Sequence, residues 1–305
     1  MRPRVSVVIR TYNRAPLLGP AIDSVLAQSV PADEVLVVDD GSSDATPSVL
    51  ANYAGQVEHL RLPHTGNPAA VLNAGLRAAR GELIAVLDSD DLWLPTKLEQ
   101  QLARLATSER VGFVYGNVCL LSDDGRRSAP VLRPEQIGRG WILPIVVRDM
   151  CVHPSTLLVR RELVERVGPL DERERVNEDF FLVLRLARLA EAACVPEPVA
   201  LVRRHAGQVS LAHGLAAYTA AIRALEQLLR EPQLGPGVRS SARRSISRLH
   251  AHVAKQLVLS GSPAAARRHA MQSLARTPWH APAWRWGLVA LARSTPLATR
   301  VQAGP

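Results

Sequence analysis

The sequence predicts an α/β fold with a mostly parallel central sheet, followed by a helical C-terminal region, and three observations carry that expectation. In residues 5–87, short apolar runs alternate with amphipathic stretches in the order strand, helix, strand, helix, strand, helix, strand. That alternation is the pattern of right-handed crossover units. Two of the apolar runs end in carboxylates, Asp39-Asp40 and Asp88-Ser89-Asp90-Asp91, and open α/β sheets bind ligands at the carboxyl ends of their strands. From Leu211 onward strand patterns give way to helical stretches rich in Ala, Arg and Leu.

Taken in order, residues 5–10 read as a buried strand followed by the polar turn Thr11-Tyr12-Asn13-Arg14. Residues 16–28 follow as a helix with Leu17, Leu18, Ile22, Val25 and Leu26 on one face, ended by Pro31. Strand 34–38, helix 46–53, a short strand at 57–62, an Ala-rich helix at 69–79 and strand 83–87 complete the first half. A helix at 96–105 comes next. Residues 111–121 predict one or two strands, 126–150 read as loop, 155–159 as a strand and 161–167 as a short helix. An amphipathic helix at 180–189, preceded by Asn177-Glu178-Asp179, and a last strand at 199–204 bring the chain to a closing segment at 203–210. Four helices are expected beyond it, at 215–230, 238–259, 263–274 and 282–292, separated by Pro and Gly breaks. The domain boundary is therefore expected at 210/211.

Composition narrows the function classes. No apolar run is long enough to span a bilayer, and no N-terminal signal pattern is present, so a cytoplasmic protein is expected. Cys119, Cys151 and Cys194 are odd in number and widely spaced, and no His or Cys grouping has zinc-ligand spacing. The first turn carries neither G-x-G-x-x-G nor a Walker-type loop, which argues against dinucleotide binding and P-loop chemistry. The net charge of +9 is uneven: residues 211–305 hold 13 Arg and Lys against Glu226 and Glu231, which leaves the first 210 residues at −2. Such a tail fits either an anionic partner or a solvated basic face. Trp279, Trp284 and Trp286 stand near Arg285 and ahead of an apolar run at 288–291. That combination suits an anionic bilayer interface and equally suits packing onto the rest of the protein.

The chemistry lies in the carboxylates. Three acids in four positions repel one another unless a cation sits against them, and oxygen ligands favour a divalent ion. By itself the cluster at Asp88–Asp91 serves equally as a solvated turn that caps the next helix. Its companions alter the balance, because the turns after strands 5–10, 34–38 and 83–87 converge on one sheet edge. There Tyr12 can stack on a flat base, Asp40 can accept an N–H from that base, and the Asp88/Asp90 pair can hold an ion that neutralises a diphosphate.

The segments "VSVVIRTYN", "EVLVVDDGSSD", "GELIAVLDSDD" with "LWLPTKLE", and "NEDFFLVLRL" resemble family 2 glycosyltransferases of GT-A fold, in the family's order and over about residues 4–210. The resemblance implies an inverting, non-processive transfer of one sugar from a nucleotide-diphosphate donor, UDP- or dTDP-type favoured, since uracil and thymine offer Asp40 the same N3–H. The acceptor would be a hydroxyl of a glycan, a lipid-linked sugar or a small molecule, as in polysaccharide or glycolipid biosynthesis. The residues it implies for the nucleotide sugar are Thr11, Tyr12, Asn13, Arg14, Asp40, Asn73, Asp88 and Ser89. Asp90, with Asp88, Asp91 and His205, would hold Mg²⁺ or Mn²⁺. Asp179 would be the general base, with Glu178 beside it, and the chemistry agrees: inversion needs a carboxylate opposite the leaving group to take the acceptor's proton. The other reading of Glu178-Asp179 is a helix cap. His205 and His153 each fit either the site or ordinary packing.

The sequence departs from the family pattern in three places. Leu72-Asn73 replaces an Arg-Asn pair, Phe180 replaces a Trp after the Glu-Asp pair, and the Gln-x-x-Arg-Trp motif of processive members is missing. The runner-up readings are a sugar-nucleotide-forming nucleotidyltransferase, which lacks its glycine-rich first loop here, and a non-enzymatic binder of an anionic partner through the tail. No nucleic-acid partner is expected, and residues 211–305 fit either peripheral association with the inner face of an anionic membrane or packing onto a partner or the catalytic domain.

Overall fold

The computed structural model describes residues 2–205 and 214–292. The end of the closing segment, from Ala206 to Ser210, lies outside the described residues. The chain forms two compact units, Met1–Ala212 and His213–Pro305.

The first unit is built on an eight-stranded mixed sheet. Its strands are β1 (Val5–Thr11), β2 (Glu34–Asp39), β3 (Glu58–Arg61), β4 (Leu83–Asp88), β5 (Leu92–Trp93), β6 (Val111–Leu121), β7 (Leu158–Arg160) and β8 (Glu191–Arg203). The order is β3-β2-β1-β4-β7-β6-β8-β5. The pairs β1/β2, β1/β4, β2/β3 and β6/β8 are parallel, whereas β7 runs antiparallel between β4 and β6, and β5 antiparallel to β8. Helices α1 (Ala15–Leu26), α2 (Thr46–Ala51) and α3 (Pro68–Ala78) make the crossovers, so the chain leaves β1 toward β2 and β3 and returns to β4 on the other side. The turns after β1, β2 and β4 are thereby neighbours at a topological switch point, where such sheets bind ligands. Gly75 lets α3 lie directly on the sheet, since a Cβ there would come within 2.4 Å of Val8 Cγ1.

The near-continuous apolar runs of β1, β2 and β4 follow from burial on both faces. Four elements differ from the sequence expectation. β6 is one strand of 11 residues, and β8 begins at Glu191 and not at residue 199. Pro196 and Pro198 lie inside β8, and the ladder with β6 shifts register there, because proline has no N–H to give. The strand expected at 155–159 opens as a 3₁₀ turn at Pro154–Thr156, before β7. The segment read as loop contains α5 (Leu143–Asp149).

Behind the acidic loop lies a buried belt from α4 (Lys97–Leu105). Trp93 Nε1 donates to Ser155 O at 2.8 Å and Gln101 Nε2 to Thr156 O at 2.6 Å. Lys97 is fully buried, donates to Gln101 Oε1 at 2.7 Å and sits 3.8 Å from the Trp93 ring centroid. Burial holds its ammonium well below the usual lysine range. Helices α6 (Arg161–Val167) and α7 (Glu178–Leu189) complete the unit.

The second unit consists, among the described residues, of α8 (Gly214–Leu229), α9 (Pro236–Leu259), α10 (Pro263–Arg276) and α11 (Ala281–Ala292). In one part of its core Ala254, Val258, Ala266, Ala270 and Ala290 pack together, with Trp286 against them, and Ile222, Leu225, Ile246 and Leu249 are buried as well. On the other face of α11, Trp284, Leu288 and Leu291 are exposed, and Trp279 just before it is 91 % exposed. No helix among the described residues is long and apolar enough to cross a membrane.

Candidate active site

The turn after β1 is fixed by short-range chemistry. Asn13 adopts a left-handed backbone (φ 49°), which asparagine tolerates. Its Oδ1 accepts from Ser43 N at 2.8 Å and Asp44 N at 3.3 Å, and its own N–H donates to Ser42 Oγ at 2.9 Å. Asp39 is fully buried and accepts from Ser42 N and Oγ, so the first two loops are laced together. Asn13 and Arg14, both expected at the donor, line an open cleft of about 340 Å³ with Arg203 and His205. Tyr12 is 40 % exposed and stacks on His64, with ring centroids 4.1 Å apart and planes 12° apart. Thr11 is buried beside them, and its Oγ1 has no hydrogen-bond partner in the protein.

Two residues expected at the nucleotide are also bonded within the protein. Asp40 is buried, and its carboxylate accepts from Thr65 N and Oγ1 and from Gly66 N at 2.8–2.9 Å, while His64 Nδ1 bonds the Asp40 main-chain carbonyl at 2.9 Å. Asp40 therefore orders the loop that sets His64 against Tyr12. Asn73 is buried and bonded to the 170–172 segment: Nδ2 donates to Leu170 O and Glu172 Oε1, and Oδ1 accepts from Leu170 N. With Leu72 in place of the family Arg, this asparagine fastens the 170–172 loop to α3.

The acidic loop divides its four residues among separate tasks. Ser89 is buried and its N–H donates to Arg10 O at 3.2 Å. Asp91 points inward, where Oδ2 accepts from Ser155 Oγ at 2.6 Å and Oδ1 from Arg203 N at 3.2 Å. Burial first, then the charges of Asp88 and Asp90, push its carboxyl well above the ordinary range. Asp88 is drawn to Arg10, with which it forms an ion pair. Asp90 meets His205, Nε2 to Oδ2 at 3.1 Å. Among the described residues no three His, Cys, Asp or Glu side chains converge as a metal cage. Of the expected set Asp88, Asp90, Asp91 and His205, the structure brings Asp90 and His205 together, bonds Asp91 to Ser155 and Arg203, and pairs Asp88 with Arg10. One carboxylate and one imidazole suit Mn²⁺ or Mg²⁺ where a diphosphate and water complete the shell, as magnesium sites with substrate phosphates do.

Glu178 and Asp179 open α7, after Asn177 in a left-handed conformation (φ 62°). Glu178 is buried and ion-paired with Arg10. Asp179 is partly exposed, and its Oδ1 accepts from Phe180 N at 2.8 Å. Burial, with Glu178 next, pushes Asp179 up to about 7, against the pull of Arg10 and the Phe180 N–H. The helix N-terminus alone would lower this carboxyl; burial outweighs it. His153 accepts from Ser155 N at Nδ1 (3.3 Å) and stands 3.8 Å from Asp91 Oδ2. Burial lowers its pKa against the raising charges of Asp88 and Asp90.

Sequence reasoning missed Arg10, Ser155 and His64. Arg10 had a legible signal: a cation inside an otherwise buried strand must be paired. Ser155 and His64 carried none, since their roles depend on segments far apart in the chain.

The sheet order, the switch-point loops and the carboxylate at the start of α7 define a GT-A-like α/β protein with a helical C-terminal region. The chain belongs to glycosyl transferase family 2, whose model matches residues 6–168. Similar curated proteins include an uncharacterized glycosyltransferase of Nostoc, 33 % identical over 66 % of this chain and 65 % of that one. The succinoglycan biosynthesis protein ExoO of Rhizobium meliloti is 34 % identical over 65 % of this chain and 59 % of its own length. The chain thus spans just under two thirds of these relatives. Among solved structures, S. aureus TarS 1–349 in complex with UDP has a TM-score of 0.68 at 17 % identity, covering 90 % of this chain and 81 % of that one. The mannosyltransferase PcManGT of Pyrobaculum calidifontis, solved with GDP-Man and Mn²⁺, has a TM-score of 0.63 at 22 % identity, covering 96 % and 85 %.

Proposed function

We propose that the protein transfers one sugar from a nucleotide-diphosphate donor to an acceptor hydroxyl, with inversion and Asp179 as base. The observation that carries this reading is geometric: Arg10 pairs with both Asp88 and Glu178, which brings the carboxylates at the start of α7 to the acidic loop after β4. Burial and Glu178 also raise the Asp179 carboxyl, the direction that suits a base taking a proton from a hydroxyl. In the step, the acceptor oxygen attacks the anomeric carbon, its proton passes to Asp179, and the bond to the diphosphate oxygen breaks with its electron pair. Tyr12, stacked on His64 and 40 % exposed, offers the base a flat platform. Asp90 and His205 would hold the cation, which stabilises charge on the departing diphosphate when bound. Relatives solved with UDP, UDP-GlcNAc, and GDP-Man with Mn²⁺ make uridine and guanosine donors the first to test.

The test is a panel of UDP-glucose, UDP-GlcNAc, dTDP-glucose and GDP-mannose with Mn²⁺ or Mg²⁺, read by thermal shift and release of nucleoside diphosphate. One donor class should raise Tm only with the cation present and be slowly hydrolysed. No shift and no hydrolysis with any donor would sink the reading.

The second unit we read as a peripheral anchor to an anionic membrane, the place of a lipid-linked acceptor. Its support is the exposed stripe Trp284, Leu288 and Leu291, at i, i+4 and i+7, together with Trp279 and the basic charge of residues 211–305. The full chain should co-sediment with phosphatidylglycerol vesicles and remain free of phosphatidylcholine ones. Trp284→Ser with Leu288→Ser should cut that binding about tenfold or more, since each exposed large side chain contributes of order 1.5 kcal/mol or more on burial. Equal sedimentation with both lipids, or an unaffected double variant, excludes the anchor.

A further inference from the structure

The buried guanidinium of Arg10 lies between two carboxylates that arrive from distant parts of the chain. In the sheet it stands directly opposite Asp88, since β1 and β4 register Arg10 with Asp88. Its Nη2 pairs with Asp88 Oδ1 and its Nη1 with Glu178 Oε1, 168 residues along the chain. The Arg10 and Glu178 side chains are 11 % and 10 % exposed. The Arg10 carbonyl also accepts from Ser89 N, so backbone and side chain both hold the acidic loop.

We propose that Arg10 is a positioning residue, a two-pronged clamp that ties the donor-side loop at Asp88 to the base segment Glu178–Asp179. The proposal rests on Asp179 being the base. A planar guanidinium suits this task, because its two Nη groups diverge at a fixed angle and set the separation of the two carboxylates. Lysine offers a single point charge and cannot hold both.

The clamp also sets charge. Asp179 faces Glu178 on its own helix, Arg10 from β1 and Asp88 from β4; of these, only Arg10 favours the ionised form. Without the guanidinium three carboxylates face one another, and the base gives up its ionised form until higher pH.

The test uses the full-length chain labelled with ¹³C at Asp and Glu carboxyls, with Asp179→Asn to assign the resonance. The wild-type midpoint should lie near 7. Arg10→Met should raise it by about one unit or more. Arg10→Lys keeps the buried charge and should leave the midpoint close to wild type. Donor hydrolysis, measured with UDP-GlcNAc and Mn²⁺ and with GDP-mannose and Mn²⁺, should fall about 100-fold in kcat for both variants, with KM changed only a few-fold, as misplacement by about 1 Å costs. An Arg10→Met midpoint equal to wild type, or an Arg10→Lys enzyme with wild-type kcat, overturns the clamp. Should Arg10→Met not fold, the Arg10→Lys kcat decides. Failure of the base reading looks different: Asp179→Asn would then keep its activity while Arg10→Met still moved the midpoint.

Discussion

Asp179→Asn should lower turnover by roughly 10²–10⁴-fold, the range that a positioned general base contributes. The donor should still bind, because Asp179 takes only the acceptor's proton. The wild-type rate should rise with pH through about 7, the value at which burial and Glu178 hold this carboxyl. The same substitution should stabilise the fold at alkaline pH. A carboxyl raised from 3.8 to about 7 binds its proton more tightly in the folded chain than in the unfolded one. Its favourable contribution is therefore complete below about pH 4 and is lost as pH rises through 7. Removing the charge should relieve a cost at pH 8 and little at pH 4. Thermal unfolding of both forms at pH 4.5 and 8 checks the sign; a smaller gain at the higher pH contradicts the raised carboxyl.

Asp90→Ala should abolish the dependence of donor binding on divalent cation and lower turnover by about 10²–10³-fold, the cost typical of losing one preorganised electrostatic contact. Asp90 is one half of the only pair among the described residues in which an expected metal-ligating carboxylate meets its expected histidine. His205→Ala should act in the same direction but more weakly, since the carboxylate retains the charge. Asp91→Asn should behave differently. Its oxygens are bonded to Ser155 and Arg203 within the protein, so it should lower thermal stability before it lowers cation affinity. Calorimetric titration of Mn²⁺ in the presence of UDP or GDP separates the cases. Equal Mn²⁺ affinity in Asp90→Ala and wild type would remove Asp90 from the cation site.

The legibility of the site follows the range of each interaction. Tyr12, Asp40 and Asp90 were singled out by residue type and position at the strand ends, His205 and Asn73 through the family resemblance, and in the structure Asp90 and His205 meet. Asp40 also orders the Thr65–Gly66 loop, and Asn73 is bonded to the 170–172 segment. Nothing in a strand-ending Asp-Asp shows which distant loop its carboxylates will order. Elements show the same division. The crossovers through β4 were readable because each strand is buried on both faces and each helix on one. The start of β8 was obscured by Pro196 and Pro198, tolerated through a local shift in the β6 ladder.

The sequence by itself determined the alternating α/β order, the helical C-terminal region, the carboxylate-bearing strand ends and the family, because burial periodicity and local turn chemistry act over a few residues. Only the tertiary structure decided which distant groups each carboxylate meets. It brought Arg10 between Asp88 and Glu178, turned Asp91 inward onto Ser155, and raised Asp179 to about 7. Those outcomes depend on desolvation and on charges contributed by distant segments, which no local pattern encodes.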